Sequence, residues 1–136
     1  MIALSSPLDT VWQRLDAVFQ RLATEVQAVQ PHVSWTSGHH ATESFPLTAF
    51  VSFSRNGRKE DEDVVVSVSA HISGNTLAMS SDIARGDGYV LADGPEAAYP
   101  IDLAPEELAE RGTVLAAAIE TFLHEHIDTI SDELSM

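Results

Sequence analysis

Apolar residues recur three and four apart through "SSPLDTVWQRLDAVFQRLATEVQAVQP", at Leu8, Val11, Trp12, Leu15, Val18, Phe19, Leu22, Val26 and Val29. That spacing gathers them on one face of a helix, with Asp9, Gln13, Asp16, Gln20, Thr24 and Gln27 on the other. Ser6 suits the N-cap, Pro7 suits the first helical position because its missing N–H needs no partner there, and Pro31 prevents continuation. A helix with one apolar face lies on a core and is not buried all round.

The period then changes from 3.6 to 2. In "FPLTAFVSF" the apolar set is Phe45, Leu47, Ala49, Val51 and Phe53; in "DVVVSVSAHI" it is Val64, Val66, Val68, Ala70 and Ile72. Asn56 and Gly57 between them tolerate the positive φ of a tight hairpin turn, and an even-length loop pairs odd with even positions, which places both apolar sets on one face. A second turn near "SGNT" leads to a third strand with Leu77, Met79 and Ile83 inward, Ile72 pairing with Leu77. The stretch from Gly86 to Asp102 is expected to be loop except for one short strand around Tyr89 to Leu91, and "WTSGHHATES" is expected to be a flexible loop.

From Pro105 onward the helical period returns. "LAPEELAERGTVLAAAIETFLHEHIDTISDEL" predicts one long helix with Glu106 and Glu107 in its first turn and Leu108, Leu115, Ile119, Phe122, Leu123 and Ile130 on its apolar face. Gly112 falls on that face at a cost of about 1 kcal/mol in helix propensity, which implies close packing by another element. A helix of about 23 residues and a strand of about 10 both span roughly 35 Å, so the parts match in length. The expected fold is an α+β two-layer sandwich, residues 1–136 forming one domain: an antiparallel β-meander of three to five strands with an N-terminal and a C-terminal helix packed on one face. The element order resembles the two-layer chaperone-like domains of bacterial secretion systems, a likeness of order alone, carried by no motif.

Charge sharpens that picture. Residues 1–59 carry five basic and four acidic groups, whereas residues 60–136 carry two basic and seventeen acidic groups. The second half of the chain therefore holds nearly all of the net charge of −14. Such a field repels phosphate backbones and steers a basic protein partner toward it, so no nucleic-acid binding is expected. Cysteine is absent, which removes disulfides and thiolate chemistry. The opening "MIALSSPLDT" lacks the pattern of a secretion signal and no apolar run nears the roughly 20 residues that span a bilayer, so a cytoplasmic protein without a membrane partner is expected.

If helices cover one face of the sheet, the other displays Thr48, Phe50, Ser52, Ser54, Val65, Ser67, Ser69, His71, Ala78, Ser80 and Asp82. Small polar side chains with Phe50 and Val65 as apolar anchors suit a protein partner or a homodimer, with His71 and Asp82 at the margin. Asp128, Asp132 and Glu133 crowd the last helix end, where the dipole favours cations, and no Lys or Arg is expected to answer them, so that end is expected to fray or to meet a basic partner.

Catalytic chemistry has less to stand on. No Walker loop, dinucleotide fingerprint or G-x-S-x-G elbow is present, and no cofactor is expected. A metal, if one bound, would fall to His39 and His40 with Glu43 nearby. Asp82, Asp87 and Asp93 among glycines do not follow the EF-hand spacing and read as turn chemistry. In "TFLHEHIDTI", His124 and His126 differ by roughly 200° on a helix and cannot share an ion. His126 is read as a core or interface histidine with one satisfied nitrogen, and His124 as an outer-face residue between Glu120 and Asp128. The reading favoured by these features is a non-catalytic acidic protein-binding module: a chaperone, an adaptor or an immunity-type inhibitor of a basic partner. The alternative is a small metal- or ligand-dependent enzyme using the His39/His40 loop, His71 and the Asp82 to Tyr89 loop.

Overall fold

The computed structural model describes residues 5–41, 47–56 and 62–135. Helix α1 (Ser5–Val29) leads through a short turn into strands β1 (Ser34–Ala41), β2 (Leu47–Ser54), β3 (Val64–Ser73), β4 (Thr76–Arg85), β5 (Val90–Asp93) and β6 (Ala97–Pro100), followed by helices α2 (Pro105–Glu125) and α3 (Ile127–Leu134). The strands form one antiparallel sheet in the order β1-β2-β3-β4-β5, with β6 also pairing β4. This is the expected α+β architecture, with helices on one face of the sheet only.

The apolar stripe of α1 is what holds it there. Val11, Trp12, Leu15, Val18, Phe19, Leu22 and Val26 are buried, joined by Ala23, while Val29 at the helix end is 59% exposed. Past the helix, the Gln27 side-chain amide donates to the Val33 carbonyl at 2.8 Å and directs the chain into β1. The side chains of residues 5–8, Ser6 and Pro7 among them, lie outside the described set, as do Phe45 and Gly57.

β1 replaces the expected loop. Its eight residues pair along β2 without interruption, Trp35 opposite Phe53, Ser37 opposite Val51 and His39 opposite Ala49. The alternation was invisible because the positions facing the helices are Trp35, Ser37 and His39: at the margin of the sheet α1 covers them only in part, so polar residues are tolerated there.

The central meander follows the expected register. Ala49, Val51 and Phe53 face Val68, Val66 and Val64 across β2 and β3, and Ile72 pairs with Leu77 across a two-residue hairpin. Gly74 supplies that hairpin's positive φ, 61°. Leu77, Met79 and Ile83 are fully buried beneath the helices. β5 and β6 correct the expectation of one short strand, since they run end to end along β4. The break at Gly94–Glu96 is stitched to β4 by Ser81, whose carbonyl accepts from the Gly94 N–H at 2.9 Å and whose hydroxyl donates to the Pro95 carbonyl at 2.7 Å.

The C-terminal helix is two helices. His126 leaves helical geometry at φ −111°, ψ 14°, and its backbone N–H turns to the Leu123 carbonyl. Its imidazole Nδ1 donates at 2.8 Å to the Phe122 carbonyl, the acceptor that position 126 would use in an unbroken α-helix. The side chain thus takes the place of the backbone donor. α2 and α1 meet at Gly112, where an added methyl would lie 2.4 Å from Val11 Cγ2, so the close packing inferred from that glycine is real. One continuous apolar cluster draws on every helix and strand. No helix among the described residues is long and apolar enough to cross a membrane.

Candidate functional site

With α1, α2 and α3 on one side, the other side of the sheet is open. The register lines up its residues in rows across the strands, one of which runs Gly38, Phe50, Ser67, Asp82, Asp93. At the β1 end the Phe50 ring lies across Gly38, where a methyl would just touch two ring carbons at 3.4 Å. Val65 is half-buried beside this row. Ser52 and Ser54 are only 5% and 2% exposed although they lie on this face, and the Ser54 hydroxyl donates to Asn56 Oδ1 at 2.9 Å. Thr48 and Ser69 share a hydroxyl hydrogen bond of 3.2 Å. The surface between them is flat, small and polar.

At the β5 end the row becomes acidic. Asp82 and Asp93 are direct cross-strand neighbours, and like charges so placed repel. The Asp82 carboxyl is held above its ordinary range, first because burial disfavours the charged form and second because the Asp93 carboxylate adds to the negative field. Among the described residues neither carboxylate has a Lys or Arg ion-pair partner. An open cleft of about 610 Å³ lies over the pair, bounded by Ser80, Gly94, Pro95 and Glu96.

Glu96 was not singled out in the sequence, and Asp93 was read there only as turn chemistry. Counting back from the Ala84–Val90 pair across the Gly86–Gly88 turn puts Ala92 opposite Asp82, but an irregularity between Ile83 and Ala84 shifts the register by one and brings Asp93 there instead. A bulge of that kind leaves no mark in hydrophobic periodicity. His71, near the end of β3 opposite Ala78, is exposed and remote from the acidic pair.

The acidic helix tip divides. Asp128 and Asp132 are exposed, whereas Glu133 is 7% exposed and turned into the protein. Its carboxylate accepts from Arg85 Nε, and its backbone carbonyl accepts from Arg55 Nη2 at 3.2 Å. Two arginines distant in sequence therefore answer this end of α3, which corrects the expectation that none would. Glu133 ties α3 to β4 and to the turn after β2, and Arg85 in turn lies 4.8 Å over the Tyr89 ring. Sequence neighbours could not reveal this, because the cations arrive from positions 48 and 78 residues upstream, the end of β4 and the turn after β2.

Among the described residues the histidines do not assemble. His39 and His40 are consecutive in β1, and the His40 side chain lies outside the described set, as does Glu43. His39 lies on the helix side, 3.3 Å from Asp16 and edge-on to Trp12, while Asp82 belongs to the open face three strands away. Among the described residues, His39 and His71 are not brought together with Asp82. No group of three or more His, Asp or Glu among the described residues is placed to hold a metal. His124 is exposed and points to Glu25 of α1 at 3.6 Å, not to Glu120 or Asp128. His126 has one bonded nitrogen, as expected, and packs 4.5 Å from the Phe122 ring. Comparison with known protein families, with curated proteins and with solved structures finds no match to this chain.

Proposed function

We propose that the protein is a non-catalytic binding module that takes a basic protein partner on the open face of its sheet, at the margin formed by Asp82, Asp93 and Glu96. The observation that carries this reading is the carboxylate pair itself: two acids opposed across adjacent strands, one partly buried, with no Lys or Arg ion-pair partner among the described residues. Retaining that arrangement costs folding stability, and a Lys or Arg from outside relieves it. The flat surface of small residues beside it allows a partner's backbone to come close, and Phe50 and Val65 give apolar contact at the other end of the same face. The excess of acids over residues 60–136 supplies long-range steering for such a partner.

Parallel capture by the wild-type chain and by D82N/D93N, followed by calorimetry on the protein recovered, tests this. The expected partner is basic, its affinity falls about tenfold in the double variant, and its affinity falls again as salt rises. Because a cation favours ionised Asp82, binding releases a proton and strengthens as pH rises through the raised folded pKa of that carboxyl. A partner held equally well by D82N/D93N would refute the assignment.

A further inference from the structure

The two edges of the sheet are built differently. The β5–β6 edge consists of two four-residue pieces, broken at Pro95 and ending at Pro100, with Asp93 and Glu96 along it and an irregular register against β4. Short length, proline, charge and irregularity are the devices that stop an edge from pairing with another chain. β1 has none of them. Its sequence, SWTSGHHA, holds no proline, lysine, arginine, aspartate or glutamate, and all eight residues pair regularly with β2. Its outer backbone groups have no strand partner among the described residues.

We infer that β1 is the interface of a homodimer, in which two copies pair β1 with β1 antiparallel about a two-fold axis through Ser37 or Gly38 and join their sheets into one. An edge strand is its own complement in that arrangement, since every pair made by one copy is repeated by the other. Up to about eight backbone hydrogen bonds close the edge on both copies. An open cleft of about 480 Å³ beside the strand, between Gln27 of α1 and residues Ser34 to Ser37, leaves room for the second strand's side chains on the helix side.

Charge selects a second copy as the occupant. Two chains of net charge −14 repel wherever their acidic regions meet, yet seventeen of the twenty-one acids lie in residues 60–136 and β1 belongs to the nearly neutral remainder. β5 is four strands from β1, so in the dimer the two acidic edges are nine strand spacings apart, roughly 43 Å at about 4.8 Å each. That is about five Debye lengths at physiological salt, and their mutual repulsion is screened. Approach through any acidic surface has no such escape. The dimer then presents two acidic open faces at opposite ends, able to engage two sites of one partner.

Sedimentation velocity of the wild-type chain between about 1 and 200 μM, joined to amide hydrogen exchange at both extremes, tests the inference without relying on a variant. The expected result is a species of twice the 14.7 kDa chain mass, with residues 34–41 gaining exchange protection at high concentration and residues 90–100 unchanged. Ser37→Lys should return the protein to a folded monomer, and Ser69→Lys, inside the sheet, should not. A chain that stays monomeric throughout, or a dimer whose new protection lies away from β1, overturns it. These outcomes are independent of whether D82N/D93N changes capture of a basic partner.

Discussion

Replacing Gly112 with alanine perturbs the closest approach of the two long helices. The added methyl lies 2.4 Å from Val11 Cγ2 and 3.5 Å from Val11 Cβ, so the first contact is about 1 Å inside the ordinary carbon–carbon distance of ~3.5–4.0 Å. Val11 is 1% exposed, and as a β-branched residue in a helix it has one strongly favoured rotamer. Relief therefore requires a strained χ1 or a parting of α1 from α2. Overpacking of this kind costs about 1–3 kcal/mol, while alanine returns about 0.8–1.0 kcal/mol of helix propensity relative to glycine. The net is a loss of about 1 kcal/mol and a fall in Tm of about 3–5 °C. In a V11A background the overlap is absent, and the same substitution should stabilise by about 1 kcal/mol. Urea unfolding of the four proteins, followed by circular dichroism, should thus give a coupling of about 2 kcal/mol with a change of sign between backgrounds. If G112A stabilises the wild-type chain by the full propensity difference, the helix contact is not as close as described and the reasoning fails.

Asp82→Asn should raise Tm at neutral pH. The folded pKa of Asp82 lies above its ordinary 3.8, so in the window between the two values the folded state holds more protons than the unfolded state. Stability from this group falls as pH rises through that window. The advantage of D82N should therefore be largest at pH 7 and vanish near pH 4, and a constant difference at all pH values would contradict the assigned cause. Glu133→Ala should cost about 1–2 kcal/mol, less than a fully buried ion pair because Arg85 is partly solvated, and should speed hydrogen exchange through α3 before α1; uniform acceleration would argue against a local lock. Gly86→Ala should be more damaging than G112A, because its methyl would overlap the Glu62 carbonyl oxygen at 1.6 Å and backbone cannot rotate away. Thermal melts of the two variants side by side decide that order.

The central sheet was legible because each of its strands keeps alternation strictly enough to fix register: once Val66 and Val51 must share a buried face, a one-residue slip would expose the whole set. β1 was not, since Ser37 and His39 occupy inward positions that α1 only partly covers. The break at His126 was hidden for a different reason. The apolar stripe continues across it from Phe122 to Ile130, so periodicity sees one helix while a side chain occupies the carbonyl that would have continued it. On the open face, Asp82 was found from its strand position, but its neighbour Asp93 depends on a bulge. Glu133 looked available to a partner because Arg55 and Arg85 reach it only in the folded chain.

Chemical-shift mapping of the wild-type chain during titration with the basic protein it captures would test the central claim most directly. The amides of Ser67, Ser80, Asp82 and Asp93 should shift together and saturate at one stoichiometry, and those shifts should weaken in D82N/D93N. Shifts confined to the exposed surfaces of α2 and α3, with the open sheet face unmoved, would contradict it.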